Sequence, residues 1–313
     1  MDWNEQRLGR HLKLRDLHVL LTVTQCGSMG RAAEQLAVSQ PAISKVIADM
    51  EYALGVPLLD RNARGVEATI YARALLERTV TVFDELKQAV KHVEFLANPT
   101  AGDLSIASTI AIASGFIPVV IDRLSRRYPR IVFRLSAGEA STTYRALHER
   151  TVDLVVSPLF GPIDEDIHAE VLYSEPLVVI AGAKTAWAHR RRIELADLWN
   201  EAWTLPPEGS LYGSVVVEAF HAAALTLPRG AVFTSVTPVR NALVATGRYL
   251  SIVQGSVARF SRDHPAFKIL PIDLPMTRRP IAVMTLKHRT INPIARLFLD
   301  YAHEVAKTLD ATG

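Results

Sequence analysis

Residues 27–61, GSMGRAAEQLAVSQPAISKVIADMEYALGVPLLDR, constrain the fold of this chain more than any other stretch. Ser28 and Ser39 stand where helix N-caps belong, each ahead of a helical pattern. A serine hydroxyl there satisfies backbone N–H groups that the first helical turn leaves unpaired. Pro41 fits the first turn of the second pattern, where its missing N–H has no partner to lose. The spacing predicts short helices over residues 29–36 and 40–54, joined by Ala37-Val38-Ser39. A preceding helix over residues 14–25 carries Leu17, Leu20, Leu21 and Thr24 on one stripe and ends at Cys26-Gly27.

The second of the paired helices has a clean division of faces. Ile43, Val46, Ile47, Met50 and Leu54 follow the spacing of a core stripe, while Pro41, Lys45, Ala48 and Tyr52 point the other way, with Ser44 on the flank. A lone amphipathic helix with a solvated side would show the same stripe. Two capped helices around a tight turn, followed by Arg61 and Arg64, point instead to a helix-turn-helix whose second helix enters the DNA major groove. On this reading Gln40 and Ser44 hydrogen-bond bases and Lys45 reaches guanine or a phosphate. Ser28, Arg31, Ser39, Pro41, Arg61 and Arg64 complete the expected DNA-binding surface.

The same residues resemble the LysR-type transcriptional regulators. The shared pattern is Gly27-Ser28, Ala32-Ala33, Leu36, Ser39-Gln40-Pro41-Ala42, Ser44, Glu51, Leu54-Gly55 and Arg61, running on through Arg64-Gly65-Val66 and Thr69. Leu59 stands where the family usually has Phe, and Ala72 where it usually has Gly. The Arg10-His11-Leu12-Lys13 extension looks similar to a subgroup that includes galactose- and protocatechuate-pathway regulators. The resemblance implies an α/β multidomain chain: a winged helix-turn-helix over residues 1–71, a linker and dimerisation helix over 72–97, a hinge at 98–102, and a two-lobed effector-binding domain over 103–313. The effector domain would have a fold like periplasmic solute-binding proteins. Lobe I would take residues 103–171 and 275–313, and lobe II residues 172–274.

Charge and composition narrow the partners. The chain has 313 residues, half of them hydrophobic, enough for two or three domains each with its own core. Residues 1–97 carry twelve basic and twelve acidic side chains, so DNA affinity must come from placement, with Arg31, Lys45, Arg61 and Arg64 on one side. No run approaches the roughly 20 apolar residues that cross a bilayer, and MDWNEQRLGRHLKL lacks a secretory apolar region, so a cytoplasmic protein without membrane partners is expected. Cys26, the single cysteine, excludes an intramolecular disulfide and reads as a small packed thiol. The ten histidines show no metal-binding spacing, and no cofactor or metal is expected. Absence of a phosphate-cradling glycine loop and of a Gly-x-Ser-x-Gly elbow argues against an enzyme.

From Tyr71 to Ala97 the sequence lacks Gly and Pro, and Leu76, Thr79, Phe83, Leu86, Val90, Val93 and Ala97 step by three and four, a coiled-coil seam. The resemblance implies a homodimer or homotetramer paired through this helix. Asn98-Pro99-Thr100-Ala101-Gly102 breaks it. Beyond, strands alternate with helices: strands over 103–108, 131–137 and 152–158, and helices over 112–128 and 141–150. The alternation implies a mostly parallel sheet with helices on its faces. The chain enters a second lobe near Val171–Gly182, with helices over 210–224 and 238–246 and strands over 231–234 and 249–253. It returns near Pro275–Thr285 and ends in a helix over 293–309.

Ligands of open α/β sheets collect beyond strand C-terminal ends, near helix N-termini. Ser108-Thr109, Ser141, Ser210 and Thr237 sit at such junctions, where each hydroxyl also suits a plain helix cap. The resemblance assigns Ser108, Thr109, Ser141 and Ser210 to effector-contacting positions, and Leu159-Phe160 offers an apolar wall. The expected partners are promoter DNA and a small-molecule effector, a small carboxylate or another metabolite. No arginine stands out as the counter-charge. Arg190-Arg191-Arg192 reads as a solvated loop, and Trp187, Trp199 and Trp203 as packing of the second lobe. The alternative function is a solute-binding receptor whose N-terminal helices serve assembly alone.

Overall fold

The computed structural model of the chain describes residues 12–62, 65–260, 266–274 and 276–310. They fall into two compact units, divided in sequence between Lys87 and Gln88. The first unit holds α1 (Leu14–Cys26), α2 (Met29–Gln35), α3 (Gln40–Leu54), a two-stranded wing of β1 (Leu59–Asn62) and β2 (Gly65–Ala68), and the first part of α4 (Ile70–Ala97). Its core gathers Leu20, Val23, Ala32, Ile43, Ile47, Met50 and Leu58. The buried stripe of α1 is Leu17, Val19, Leu20 and Val23. Leu21 and Thr24, expected on it, are only half-buried, and the Thr24 hydroxyl turns back to the carbonyls of Leu20 and Leu21.

Two glycines close this unit. Gly27 caps α1 in the left-handed conformation (φ 61°), and its carbonyl accepts the N–H of Val66 at 3.0 Å. A Cβ on Gly65 would lie 2.4 Å from that same oxygen. The wing therefore docks on the α1–α2 turn because Gly65 carries no side chain, while Gly27 supplies the left-handed cap that presents its carbonyl. Glu51 adds a second tie, its Oε1 accepting the N–H groups of Leu58 (2.8 Å) and Leu59 (3.2 Å). Ala72 is fully buried in this core, and Leu59 fills its wing position without exposure.

Helix α4 runs unbroken over 28 residues. Its expected seam is split: the first three positions pack inward, while Leu86, Val90, Val93 and Ala97 are exposed as expected. Leu76 and Phe83 turn into the core of the first unit, and Thr79 is buried. The apolar residues left exposed are Val82, Leu86, Val90, Val93 and Leu96, the last two 66% and 71% accessible. With exposed Ala89, the positions Val82, Leu86, Ala89, Val93 and Leu96 alternate steps of four and three.

The second unit contains two five-stranded sheets. Sheet I is built from β3 (Ala101–Thr109), β4 (Arg130–Gly138), β5 (Leu154–Pro158), β6 (Ile167–Glu175) and a late strand, β12 (Arg279–Leu286), in the order β4-β3-β5-β12-β6. Sheet II is built from β7 (Leu177–Gly182), β8 (Ala202–Leu205), β9 (Ala231–Phe233), β10 (Tyr249–Gln254) and β11 (Phe267–Ile269), in the order β11-β7-β10-β8-β9. Each sheet is parallel but for one reversed strand, β12 in the first and β7 in the second. Those two are the strands that arrive from the other lobe. They enter at the end where their neighbours finish: Arg279 opens β12 opposite Glu175, and Leu177 opens β7 opposite Gln254. The strand C-termini of both lobes thus converge on one cleft.

Helices cover the sheets: α5 (Ile110–Ser114), α6 (Phe116–Arg127), α7 (Ala140–His148) and α11 (Pro293–Asp310) belong to lobe I, and α8 (Leu211–Ala222), α9 (Thr237–Ala245) and α10 (Gly255–Phe260) to lobe II. Leu104, Ile106, Phe116, Val156 and Phe298 form the larger core, and Trp203 and Phe220, in edge contact at 5.4 Å, anchor the smaller one. The helix expected over 112–128 is interrupted at Gly115, where a Cβ would lie 3.1 Å from the Ser256 carbonyl oxygen. Ala101 and Gly102, expected in a hinge, are already paired in β3 with Arg130 and Ile131. The turn before them is held by Asn98, whose Oδ1 accepts from Thr100 Oγ1 (2.7 Å) and Arg130 Nη2 (3.2 Å).

The last turns of α4 are bound to lobe I by a buried polar cluster. Asp153 accepts from Lys91 Nζ (3.3 Å), Gln88 Nε2 (3.3 Å), Arg289 Nη2 (3.5 Å) and the backbone N–H of Ser105 (2.9 Å). Lys91 also pairs with Asp103 at 3.2 Å. A carboxylate so surrounded recovers in hydrogen bonds much of what burial removes.

Candidate DNA interface and effector cavity

The helix-turn-helix presents a narrow polar face. The N-terminal turn of α3 exposes Gln40 and Pro41, and Lys45, Ala48 and Tyr52 continue the same side. Ile43, Ile47 and Met50 are buried beneath, with Val46 and Leu54 half-buried against the same core. Ser39 caps α3 by accepting from the N–H of Ala42, and Ser28 caps α2 by accepting from Arg31. Their hydroxyls are thus engaged at the two helix starts. Ser44 departs from the expected outward role: it is half-buried, and its hydroxyl donates to Met29 Sδ at 3.3 Å. Arg31 and Arg61 are exposed, the latter on the wing strand opposite Val66. Arg64 lies outside the described residues. The turn itself carries Ala37 at φ 54°, unusual for a residue with a side chain.

In the second unit, a cavity of about 400 Å³ opens where the strand ends of the two lobes converge. Lobe I contributes Thr109, Gly138, Ser141, Pro158 and Phe160; lobe II contributes Pro207, Ser210, Tyr212, Thr237, Arg240 and Gln254. This size is in the usual range for small-molecule sites. Of the expected effector residues, the fold brings Thr109, Ser141, Phe160, Ser210 and Thr237 together at the cavity. Two stand apart. Ser108 is fully buried and donates to the Val156 carbonyl (2.7 Å), which ties β3 to β5. Leu159 turns to the small core around Leu147 and Met284.

The polar atoms in the cavity divide by whether the fold already uses them. Ser210 Oγ donates to the Pro207 carbonyl (2.7 Å) and accepts from Gly213 (3.0 Å), so it caps α8 with little capacity to spare. Thr237 Oγ1 accepts from Arg240 Nη2 at 3.1 Å. Thr109 Oγ1, Gln254 Oε1 and the Nε and Nη1 of Arg240 have no hydrogen-bond partner. Arg240 is nearly inaccessible, and its guanidinium lies 5.6 Å from the centre of the Tyr212 ring. Burial lowers the pKa of Arg240 and raises that of the Tyr212 hydroxyl. Sequence reasoning missed Arg240. Its only trace there is an arginine three residues after Thr237, on what the helical period makes the inner side.

Other clusters are peripheral. His148 lies between Asp164 (3.0 Å) and Asp166 (3.2 Å), an exposed trio that no sequence spacing announced. Arg190 stacks on Trp187 at 4.5 Å while Arg191 and Arg192 stay exposed. Among the described residues, no helix is long and apolar enough to cross a membrane.

Both units match known sequence patterns. Residues 14–73 match the bacterial regulatory helix-turn-helix protein, lysR family, and residues 97–307 match the LysR substrate binding domain. The chain belongs to the LysR family of transcriptional regulators. This LysR regulator is 26% identical over 294 residues to the HTH-type transcriptional regulator GbpR of Azospirillum brasilense, covering 93% of this chain and 86% of that protein. It is 25% identical over 303 residues to the transcriptional dual regulator GltC of Bacillus subtilis (strain 168), covering 96% and 99%. Among solved structures, full-length CbnR complexed with its target DNA superposes with a TM-score of 0.55 at 25% identity, covering 94% of this chain and all of that one. A full-length OxyR variant from Pseudomonas aeruginosa gives 0.65 at 22% identity over 95% of each chain. As a LysR regulator the chain joins a DNA-binding helix-turn-helix to an effector-binding domain.

Proposed function

We propose that this LysR regulator reads its operator with Gln40 and Lys45 of α3, steadied by Arg31 and Arg61, and alters its action when a small molecule occupies the cleft cavity. The chain works in the cytoplasm on promoter DNA and acts by binding, not by catalysis, in keeping with relatives that are named as transcriptional regulators. Pairing through the exposed Val82-to-Leu96 stripe of α4 would make it a homodimer or higher homo-oligomer. The turn at Asn98 to Thr100 is proposed to carry lobe closure towards α4, and the Asp153 cluster would keep the end of that helix moving with lobe I.

One observation carries the sensing half: a cavity shared by two lobes is lined by buried polar atoms that the fold leaves without partners. Such atoms are costly unless something else pairs with them. A ligand bound preferentially to one lobe arrangement shifts that arrangement's population by its difference in affinity. The test is operator binding, followed by fluorescence anisotropy and footprinting on the promoter of a divergent neighbouring gene, with and without fractionated cell metabolites. At least one fraction should change the affinity or footprint. Ser141→Trp, which fills the cavity, should abolish that change. If no fraction alters binding, footprint or transcription, the sensing role fails. A chain that retards no promoter DNA specifically would return the reading to a plain solute receptor.

A further inference from the structure

We propose that the effector of this regulator is a monocarboxylate with an apolar body, anchored in the cleft cavity by Arg240. The inference rests on the reading of that cavity as the effector site and adds the chemical class. Arg240 is 3% exposed and lines the cavity from the inner side of α9. Its Nη2 donates to Thr237 Oγ1 and its plane lies near the Tyr212 ring, but Nε and Nη1 have no hydrogen-bond partner and no salt bridge reaches it among the described residues. A guanidinium stays charged in a protein, so its buried donors call for an anion. The N-terminal turns of α7, α8 and α9 also open on the cavity through Ser141, Leu211 and Thr237, and helix N-termini favour negative charge.

The rest of the lining limits which anion fits. Arg240 is the one cationic side chain among the described residues around the cavity, and Glu139 supplies one carboxylate there. A phosphate dianion would face a single cation and a nearby negative charge, whereas a monocarboxylate balances Arg240 alone. Pro158, Phe160, Pro206 and Leu211 offer an apolar wall, which suits an aliphatic or aromatic body and not a sugar. Thr109 Oγ1 and Gln254 Oε1 remain to pair with polar atoms of the ligand.

The test uses the full chain in thermal unfolding and calorimetric titration. The probes are hexanoate, cyclohexanecarboxylate, benzoate and 4-hydroxybenzoate, each beside its primary amide, with glucose and inorganic phosphate as the sugar and dianion arms. At least one carboxylate should raise the Tm in a dose-dependent way while its amide does not. Arg240→Met should weaken that binding by about tenfold or more, and Arg240→Lys by less. Without ligand, Arg240→Met should unfold at or above the wild-type temperature, because methionine removes an unpaired buried charge. The proposal is overturned if amides bind as well as acids, if glucose or phosphate is preferred, if Arg240→Met leaves binding unchanged, or if no carboxylate shifts the Tm. It is also overturned if Arg240→Met unfolds far below the wild type while Arg240→Lys does not, which would make the charge structural. None of these outcomes touches the cavity reading itself, which fails if the metabolite-dependent change in operator binding is missing or survives Ser141→Trp.

Discussion

At the residue scale, the reading helix separates side chains of similar sequence promise. Gln40 and Lys45 are exposed on one side of α3, whereas the Ser44 hydroxyl is turned onto Met29. Each good base contact contributes about 1–3 kcal/mol. Lys45→Ala and Gln40→Ala are therefore expected to weaken operator binding by roughly tenfold or more each, with unfolding temperature unchanged. Ser44→Ala should cost markedly less DNA affinity. Anisotropy titrations at one fixed salt concentration check this, and a Ser44→Ala loss as large as that of Lys45→Ala would reverse the assignment. The contrast also marks how far sequence reaches. Caps and helix stripes depend on neighbours a few positions away, so Ser28, Ser39 and the Ile43–Met50 stripe were readable directly. Ser44 depends on Met29 across the turn, and Arg240 on Tyr212 and Gln254 across a lobe. No local period records those meetings.

At the element scale, α4 shows the same division. The lack of Gly and Pro over 71–97 announced a long helix, and one runs over Ile70–Ala97. Its stripe, however, serves two purposes. Leu76 and Phe83 close the core of the first unit, and Phe95 packs against the larger core of the second. Val82, Leu86, Val90, Val93 and Leu96 stay exposed. The expected and the exposed lines share Leu86 and Val93 and cannot be ranked from periodicity, because both step by three and four. The structure ranks them by which is already used. A paired Leu86→Glu and Val93→Glu variant would place like charges along the proposed seam. It is expected to sediment as a monomer at concentrations where the wild type is a dimer or larger. A substitution on the packed line, Phe83→Ala, should instead lower stability by about 1–3 kcal/mol, less than for a fully buried Phe, read in chemical unfolding. If the glutamate pair leaves the oligomer intact, α4 does not pair through this stripe.

At the scale of the whole molecule, an exposed set of charges must operate against a neutral background. Residues 1–97 balance twelve basic with twelve acidic side chains, so little long-range field draws the chain to DNA. On the proposed reading, affinity then depends on a few cations at the interface, of which Arg31, Lys45 and Arg61 are described and exposed. Each phosphate neutralised contributes a slope of about −0.9 to the plot of log affinity against log salt. A dimer presents each cation twice. If Arg61 meets a phosphate from both wings, Arg61→Ala should make that slope shallower by about two. The loss of affinity should be similar for operator and unrelated duplexes, since a phosphate contact carries no sequence information. Lys45→Ala should behave differently, losing more on the operator than on other DNA. Titrations of both variants on both duplexes from about 50 to 200 mM salt separate the two roles. An unchanged slope for Arg61→Ala would remove the wing from the DNA contact and leave α3 and Arg31 to account for it.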